Sequence, residues 1–413
     1  MDIKLTYNQP PATFKPQLKI TGSKSVTNRL LLLQALYPNI IIRNGSISDD
    51  SEVMIQALQN QPPINSHPQL INIHHAGTAM RFLTAFFAIQ EGKEVILTGS
   101  SRMKERPIKI LVDALNQLGA EITYEENEGF PPIRIIGKKL AQNKVSLPAN
   151  VSSQYISALL LIAPKLKNGL ELTLEGEMTS VPYVKMTLTL LNNLGIQTTF
   201  NHHKIIISSK DKVKNTEFSV ESDWSSASYF YSIVALSPRN TKIELATYHK
   251  NSLQGDFKLI EIYKNLGVET NFTETGISLE KVNGVHQSIK LNLKDCPDIA
   301  QTIAVTCFGL GVGCNLEGLH TLRIKETNRL EALRVEFSKL GAMIITTDTG
   351  LIIAPSTKIN ENISINTYQD HRMAMAFTPL AIKVPIIIKD SEVVSKSYPS
   401  FWEDLESIGF QIS

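Results

Sequence analysis

The sequence predicts an α/β protein of two domains, each assembled from three repeated units. Three observations carry this expectation. Six small or polar turns each open directly into an apolar helical run. A second, amphipathic kind of helix ends five times at a glycine and leads into β-branched residues. The chain, at 413 residues, is also longer than one ordinary core.

The six apolar runs are SVTNRLLLLQAL, TAMRFLTAFFAI, SSQYISALLLIA, SSASYFYSIVAL, DIAQTIAVTCFG and HRMAMAFTPLAI. Anchored at Ser25, Thr78, Ser153, Ser226, Asp298 and His371, they stand 53, 75, 73, 72 and 73 residues apart. Helices apolar nearly all round are expected to be buried. The second series is DALNQLGAEITY, TLLNNLGIQTTF, EIYKNLGVETNF, EFSKLGAMIITT and DLESIGFQI. Gly119, Gly195, Gly267, Gly341 and Gly409 stand where a left-handed helix C-cap belongs. Each unit reads as a buried helix, short strands and an exposed helix. Helix-glycine-strand junctions occur in any α/β protein, but near-constant spacing over four intervals argues for repetition. A leucine-rich solenoid is disfavoured, because its period is ~20–29 residues. The polar segment KDKVKNTEFSVESDWSSAS places one domain crossing near Asp223, and the strand before Thr21 fits either half.

Apolar residues make up 42% and charged residues 19%, the composition of a globular chain. A formal charge of +2 speaks against wholesale nucleic-acid binding but leaves room for a local basic pocket. Cys296, Cys307 and Cys314 show neither metal spacing nor a disulfide framework. The opening MDIKLTYNQPPATFK has no apolar segment of the signal-peptide kind, and no run approaches the ~18 residues of a membrane helix. A cytoplasmic protein without membrane attachment is expected.

Chemistry concentrates at the starts of the buried helices. In TGSKSVTNR, Lys24, Ser25 and Arg29 offer a point charge, a hydroxyl and a guanidinium fork beside helical N–H groups, a ready anion site. The bland alternative is a capped helix with solvated bases. HAGTAMR combines Gly77, which permits close backbone approach, with Thr78 and Arg81; an ordinary cap and a surface arginine is the competing account. SSRMKERP holds Arg102, Lys104 and Arg106, which suit an anion if two or more lie near a helix start, with Pro107 at that helix's first turn. Such charge runs are otherwise solvated faces. In SSQY, Ser152, Ser153 and Gln154 suit sugar hydroxyls and phosphate oxygens; capping alone would account for one serine.

RIKETNR places Glu326 among cations, and on a helix Lys325 and Arg329 would share a face. The competing reading is an exposed helix with ion pairs. DHRMAM puts His371 and Arg372 at the sixth buried helix. A lone histidine is usually structural; an arginine entering an apolar helix is harder to dismiss. Lys396 precedes the final helix, and Asp298 opens the fifth buried helix, where an acid suits the dipole even as a plain cap. Together these starts imply a polyanion site, expected between the two domains.

The motifs GSKSVTNR, AGTAMR, RMKERP, SSQ, RIKETNR, DHRMAM and SKSYP closely resemble the EPSP synthase (3-phosphoshikimate 1-carboxyvinyltransferase) family of enolpyruvyl transferases, in that family's order from residue 22 to about 400. The resemblance implies a two-domain inside-out α/β barrel, each domain built from three βαβαββ repeats. It assigns 22–222 to a domain carrying most shikimate 3-phosphate contacts. It assigns 1–21 plus 223–413 to the other, carrying KETNR, DHR and Lys396, with the active site in the interdomain cleft. It implies shikimate 3-phosphate on Lys24, Ser25, Arg29, Ser152, Ser153, Gln154, Ser180, Asp298 and Lys325. It implies phosphoenolpyruvate on Lys24, Gly77, Arg106, Gln154, Arg329, Arg372 and Lys396. Asp298 is implied as acid–base partner of the substrate 5-hydroxyl and Glu326 of phosphoenolpyruvate C3, with Lys24 sharing proton transfer. No cofactor and no metal is implied, since arginines and lysines neutralise the phosphates. A monomer is expected.

Three residues depart from the family pattern: His75 for the usual asparagine before AGT, Phe82 for the proline after AMR, and Thr321 for an asparagine that touches the substrate phosphate. The family's inhibitor glyphosate occupies the phosphoenolpyruvate site, where Gly77 leaves room, so sensitivity is expected. The related UDP-N-acetylglucosamine enolpyruvyl transferase is the nearest alternative. Its active-site loop carries a cysteine, which TGSSRMKERP lacks. A catalytically dead binding protein would not need Lys24, Asp298, Glu326, Arg329 and Lys396 together. A nucleic-acid-binding relative of this fold is disfavoured by the near-neutral charge.

Overall fold

The computed structural model describes residues 1–8, 16–64, 67–283 and 287–413. The opening segment read above therefore lies partly outside the described residues, at 9–15. The chain divides into two compact units, Lys24–Val220 and Met1–Ser23 with Glu221–Ser413.

The six apolar runs form six buried helices. In the unit Lys24–Val220 these are α1 (Lys24–Leu36), α2 (Gly77–Ala88) and α3 (Ser153–Ile162). In the other they are α4 (Trp224–Leu236), α5 (Ala300–Gly309) and α6 (His371–Phe377). Every residue of α4 and of α6 is buried, as their uninterrupted apolar character requires. α1, α2 and α3 pack on one another; α5 packs on both α4 and α6.

Small sheets wrap these helices. Among the described residues there are five four-stranded sheets and one two-stranded sheet, not one closed hydrogen-bonded barrel. Each four-stranded sheet has the same wiring, shown by Gln69–Asn72, Glu94–Thr98, Ile133–Ile136 and Glu121–Tyr124. The first two strands are parallel, with α2 as their crossover, and the other pairings are antiparallel. Leu170, Leu172 and Leu174 face inward on one strand and alternate with wetter residues, the period-two pattern of a half-covered sheet.

Two departures from simple repetition occur, both where the chain ends or crosses. Ile3–Tyr7 lies between Ile386–Ile388 and Phe410–Ile412, so the first strand completes the last repeat. The strands ahead of α1 and α4 are exchanged. Gln17–Leu18 pairs with Lys242–Ala246, beyond α4, while Thr216–Ser219 pairs with Ile40–Arg43, beyond α1. The first repeat accordingly keeps a two-stranded sheet.

The exposed helices end as their sequences dictate. Gly119, Gly195, Gly267, Gly341 and Gly409 all have positive φ. At Gly119 the Ala120 N–H donates to Leu115 O at 3.0 Å and the Gly119 N–H to Asn116 O at 3.0 Å, the paired bonds of a Schellman cap. Two local expectations are corrected. RIKETNR is not helical at Lys325: a 3-10 turn ends at Ile324, Lys325 is extended, and the helix begins at Arg329 behind its Asn328 cap. Pro107 stands ahead of its helix, which runs Lys109–Gln117 from an Ile108 cap.

Candidate active site

In the unit Lys24–Val220, side chains tie the start of α3 to that of α2 and the start of α1 to the helix Asp49–Gln59. Lys24 is the first residue of α1, and its Nζ lies 2.8 Å from Asp50 Oδ2. Asp50 sits in the first turn of the helix Asp49–Gln59 and is buried. Gln154, entering α3 behind its Ser152 cap, donates from Nε2 to Thr78 Oγ1 at 3.1 Å on α2. Ser153 and Ser180 are buried at the starts of α3 and of the helix Val181–Asn193.

Arg29 is 3% exposed and spends its donors on neutral oxygens. Nε reaches Thr187 Oγ1 at 2.8 Å, Nη2 reaches Ser157 Oγ at 2.9 Å, and Nη1 reaches the carbonyl of Ser25 at 2.7 Å. The guanidinium also lies 5.4 Å from the centroid of the Phe82 ring. Burial pushes Arg29 down to about 10. A buried cation held by dipoles alone is electrostatically unfinished, and an anion brought beside it gains accordingly.

Gly77 opens α2. A Cβ there would fall 2.6 Å from Arg106 Nη1 and 2.7 Å from Nη2, so the buried Arg106 guanidinium lies against the bare glycine. Arg102 and Lys104 do not join it. Arg102 pairs with Glu105 and Lys104 with Glu126 on the surface, so the solvated-face reading holds for both. Arg81 donates to the carbonyls of Gly77 and Pro107 and fixes backbone.

The other unit holds a denser cluster. Asp298, in the 3-10 turn before α5, is gripped by three cations. Its Oδ1 lies 3.1 Å from Arg329 Nη1 and 3.4 Å from Lys325 Nζ, and its Oδ2 lies 3.2 Å from Arg372 Nη2. Burial alone would raise this carboxyl; Arg372, Lys325 and Arg329 overcome it and hold the group well below the usual range. Arg329 Nη2 also reaches Glu326 Oε2 at 2.9 Å, so one guanidinium bridges both acids. Lys325 and Arg329 thus meet through Asp298, not along a helix face.

Asp370 was not singled out in the sequence. It caps α6 by accepting from the Arg372 N–H at 2.9 Å, and it takes Arg329 Nε at 2.7 Å and Nη2 at 3.2 Å. Asp50 was likewise missed. Both stand one or two residues into or ahead of a helix, where an acid usually passes for a dipole partner. Lys396 is buried, with Nζ 3.4 Å from the carbonyl of Gln369. Thr321 is buried in the 3-10 turn His320–Ile324.

The model of one family, EPSP synthase (3-phosphoshikimate 1-carboxyvinyltransferase), matches residues 8–405. This chain belongs to the EPSP synthase family. A relative from Bacteroides fragilis, a 3-phosphoshikimate 1-carboxyvinyltransferase, is 45% identical over 406 residues, 97% of each chain. One of the same name from Vibrio campbellii is 33% identical over 424 residues, 97% of this chain and 98% of its own. In fold, the chain is similar to an EPSP synthase structure from Acinetobacter baumannii, with a TM-score of 0.78 at 21% identity, covering 100% and 99% of the two chains. EPSP synthase membership accounts for the six repeats. Among the described residues, no helix is long and apolar enough to cross a membrane.

Proposed function

We propose that this chain transfers the enolpyruvyl group of phosphoenolpyruvate to the 5-hydroxyl of shikimate 3-phosphate, releasing phosphate. The relatives reported above carry that activity in their names, and the UDP-N-acetylglucosamine alternative has no such support. The geometric observation that supports the chemistry is the bridging of Asp298 and Glu326 by Arg329 within a ring of cations. It gives two acids in contact with the charges a phosphorylated carboxylate donor needs.

The resemblance to the family assigns the roles, and the charge and burial of these residues support them. Arg329, Arg372, Lys396, Arg106, Gly77, Gln154 and Lys24 are the residues assigned to phosphoenolpyruvate. Arg29, with Lys24, Ser25, Ser152, Ser153, Gln154, Ser180, Asp298 and Lys325, takes shikimate 3-phosphate. The 5-hydroxyl loses its proton to Asp298 as its oxygen bonds to C2, and Glu326 delivers a proton to C3. The tetrahedral intermediate then expels phosphate as C3 returns a proton to Glu326. Held so low, Asp298 is a poor base by itself. Anionic substrates that draw on Arg372, Lys325 and Arg329 weaken that hold and raise its basicity. Fixed cations at the phosphate and carboxylate supply the larger part of the rate by positioning and charge stabilisation. The protein is read as a cytoplasmic monomer.

Phosphate release from phosphoenolpyruvate, measured with shikimate 3-phosphate and with UDP-N-acetylglucosamine as acceptors, tests the reading. Release with the first and none with the second is expected. Release with the sugar nucleotide alone, or with neither acceptor, would overturn it.

A further inference from the structure

Asp256 is a buried acid that the chemistry above leaves unused. It lies in the 3-10 turn Gly255–Lys258 and is 3% exposed. Its Oδ2 makes a short hydrogen bond with the hydroxyl of Ser225, while Oδ1 has no hydrogen-bond partner among the described residues. Ser225 is the second residue of α4, and its Oγ also accepts from Arg372 Nη2 at 3.3 Å. That same nitrogen reaches Asp298 Oδ2 at 3.2 Å, and Arg372 Nη1 reaches the Asp298 carbonyl at 3.1 Å. Asp256, Ser225 and Arg372 thus form a chain that ends on the acid assigned to the 5-hydroxyl.

A hydroxyl has one hydrogen and two lone pairs. With Asp256 ionised, the Ser225 hydrogen points at the carboxylate and its lone pairs face Arg372. With Asp256 neutral, the acid proton occupies one of those lone pairs, and the serine hydrogen is released to turn elsewhere. Only the ionised acid locks the hydroxyl as an acceptor for the guanidinium. We infer that Asp256, acting through Ser225, is a positioning residue that fixes the Arg372 guanidinium and thereby the affinity for phosphoenolpyruvate. The inference rests on the reading of Arg372 as a phosphoenolpyruvate contact.

The groups facing Asp256 let it switch near neutrality. Asp298 and Cys296 face it from the segment before α5, Asp223 from the cap of α4 and Arg372 from α6, while Lys258 of its own turn acts on Cys296. Burial foremost, then Asp298 and Asp223, push its carboxyl up to about 7 against the pull of Arg372 and Ser225. The hold on Arg372 therefore strengthens as pH rises through neutrality.

Steady-state kinetics of the full chain from about pH 6 to about pH 9 would test this, with each substrate varied in turn. Asp256→Asn is neutral at every pH. At the alkaline end its KM for phosphoenolpyruvate should exceed the wild-type value about tenfold, one charge-assisted hydrogen bond, with KM for shikimate 3-phosphate changed less than about twofold. The variant to wild-type ratio, in which the ionisation of phosphoenolpyruvate cancels, should shrink toward one at the acid end. Ser225→Ala should show the same selective rise, and carries the test if Asp256→Asn does not fold. A ratio independent of pH, or equal changes in both KM values with a lowered melting temperature, would overturn the inference. Arg372→Lys separates the two claims. If it leaves KM for phosphoenolpyruvate unchanged, the donor-site reading fails and takes the inference with it. If it raises that KM while Asp256→Asn does not, the inference alone fails.

Discussion

At the scale of single residues, charge placement outweighs residue type. Lys24, Arg102 and Lys104 looked alike in sequence, yet Lys24 meets the buried Asp50 while the other two pair with surface acids. Glu326→Gln keeps an oxygen for Arg329 but removes the proton carrier. Turnover should fall ~10²–10⁴-fold with little change in substrate affinity, measured by single-turnover kinetics beside equilibrium binding. Gly77→Ala should drive Arg106 out of place, since the new methyl would stand 2.6 Å from its Nη1. Displacement of the flexible end of a side chain costs little stability but misplaces the charge. KM for phosphoenolpyruvate and the glyphosate concentration for half inhibition should both rise about tenfold or more, for loss of one charge-assisted contact. The wild type itself should be inhibited competitively with phosphoenolpyruvate.

At the scale of elements, glycine-ended helices were legible because a left-handed C-cap has few sequence solutions. Gly341, at φ 91°, follows Arg329–Lys339, and the next N–H, from Ala342, donates to Phe337 O at 2.9 Å. Gly341→Ala should cost about 1 kcal/mol in chemical denaturation without changing substrate binding. The helix Asp49–Gln59 ends instead at Asn60 and escaped the pattern, and with it Asp50 was missed. RIKETNR misled for a related reason. Its charges suit helical spacing, but Asn328 caps the helix one residue before Arg329, and Lys325 is freed to reach Asp298 from extended backbone. Asp370 serves two elements at once, capping α6 and gripping Arg329. Asp370→Ala removes one partner of a buried pair and should cost ~3–5 kcal/mol, read as a lowered denaturant midpoint.

At the scale of the whole molecule, the termini and the crossings decide the organisation. Ile3 and Leu5 are buried in a strand between two others from the far end of the chain. Deleting residues 1–7 removes their buried side chains from the core and breaks two ladders, so a loss of roughly 4 kcal/mol or failure to fold is expected in thermal melts. Stability should also vary with pH in opposing ways. The lowered Asp298 contributes stability above its usual value of 3.8 that is lost as pH falls below it. Asp256, raised to about 7, contributes stability that is lost as pH rises from 3.8 through neutrality. Asp256→Asn should flatten that upper limb, a difference of roughly 2–4 kcal/mol between the two profiles in urea midpoints.

The sequence by itself determined the six buried helices, the glycine caps and the motifs of the family. These are local or periodic properties, written in hydrophobic spacing and in the few residues that tolerate positive φ. Only the tertiary structure decided which charges meet. Asp256 reaches Arg372 through Ser225, Asp370 takes Arg329, and the first strand completes the last repeat. Such pairings join residues tens to hundreds of positions apart. They are fixed by packing of the repeats rather than by any spacing along the chain.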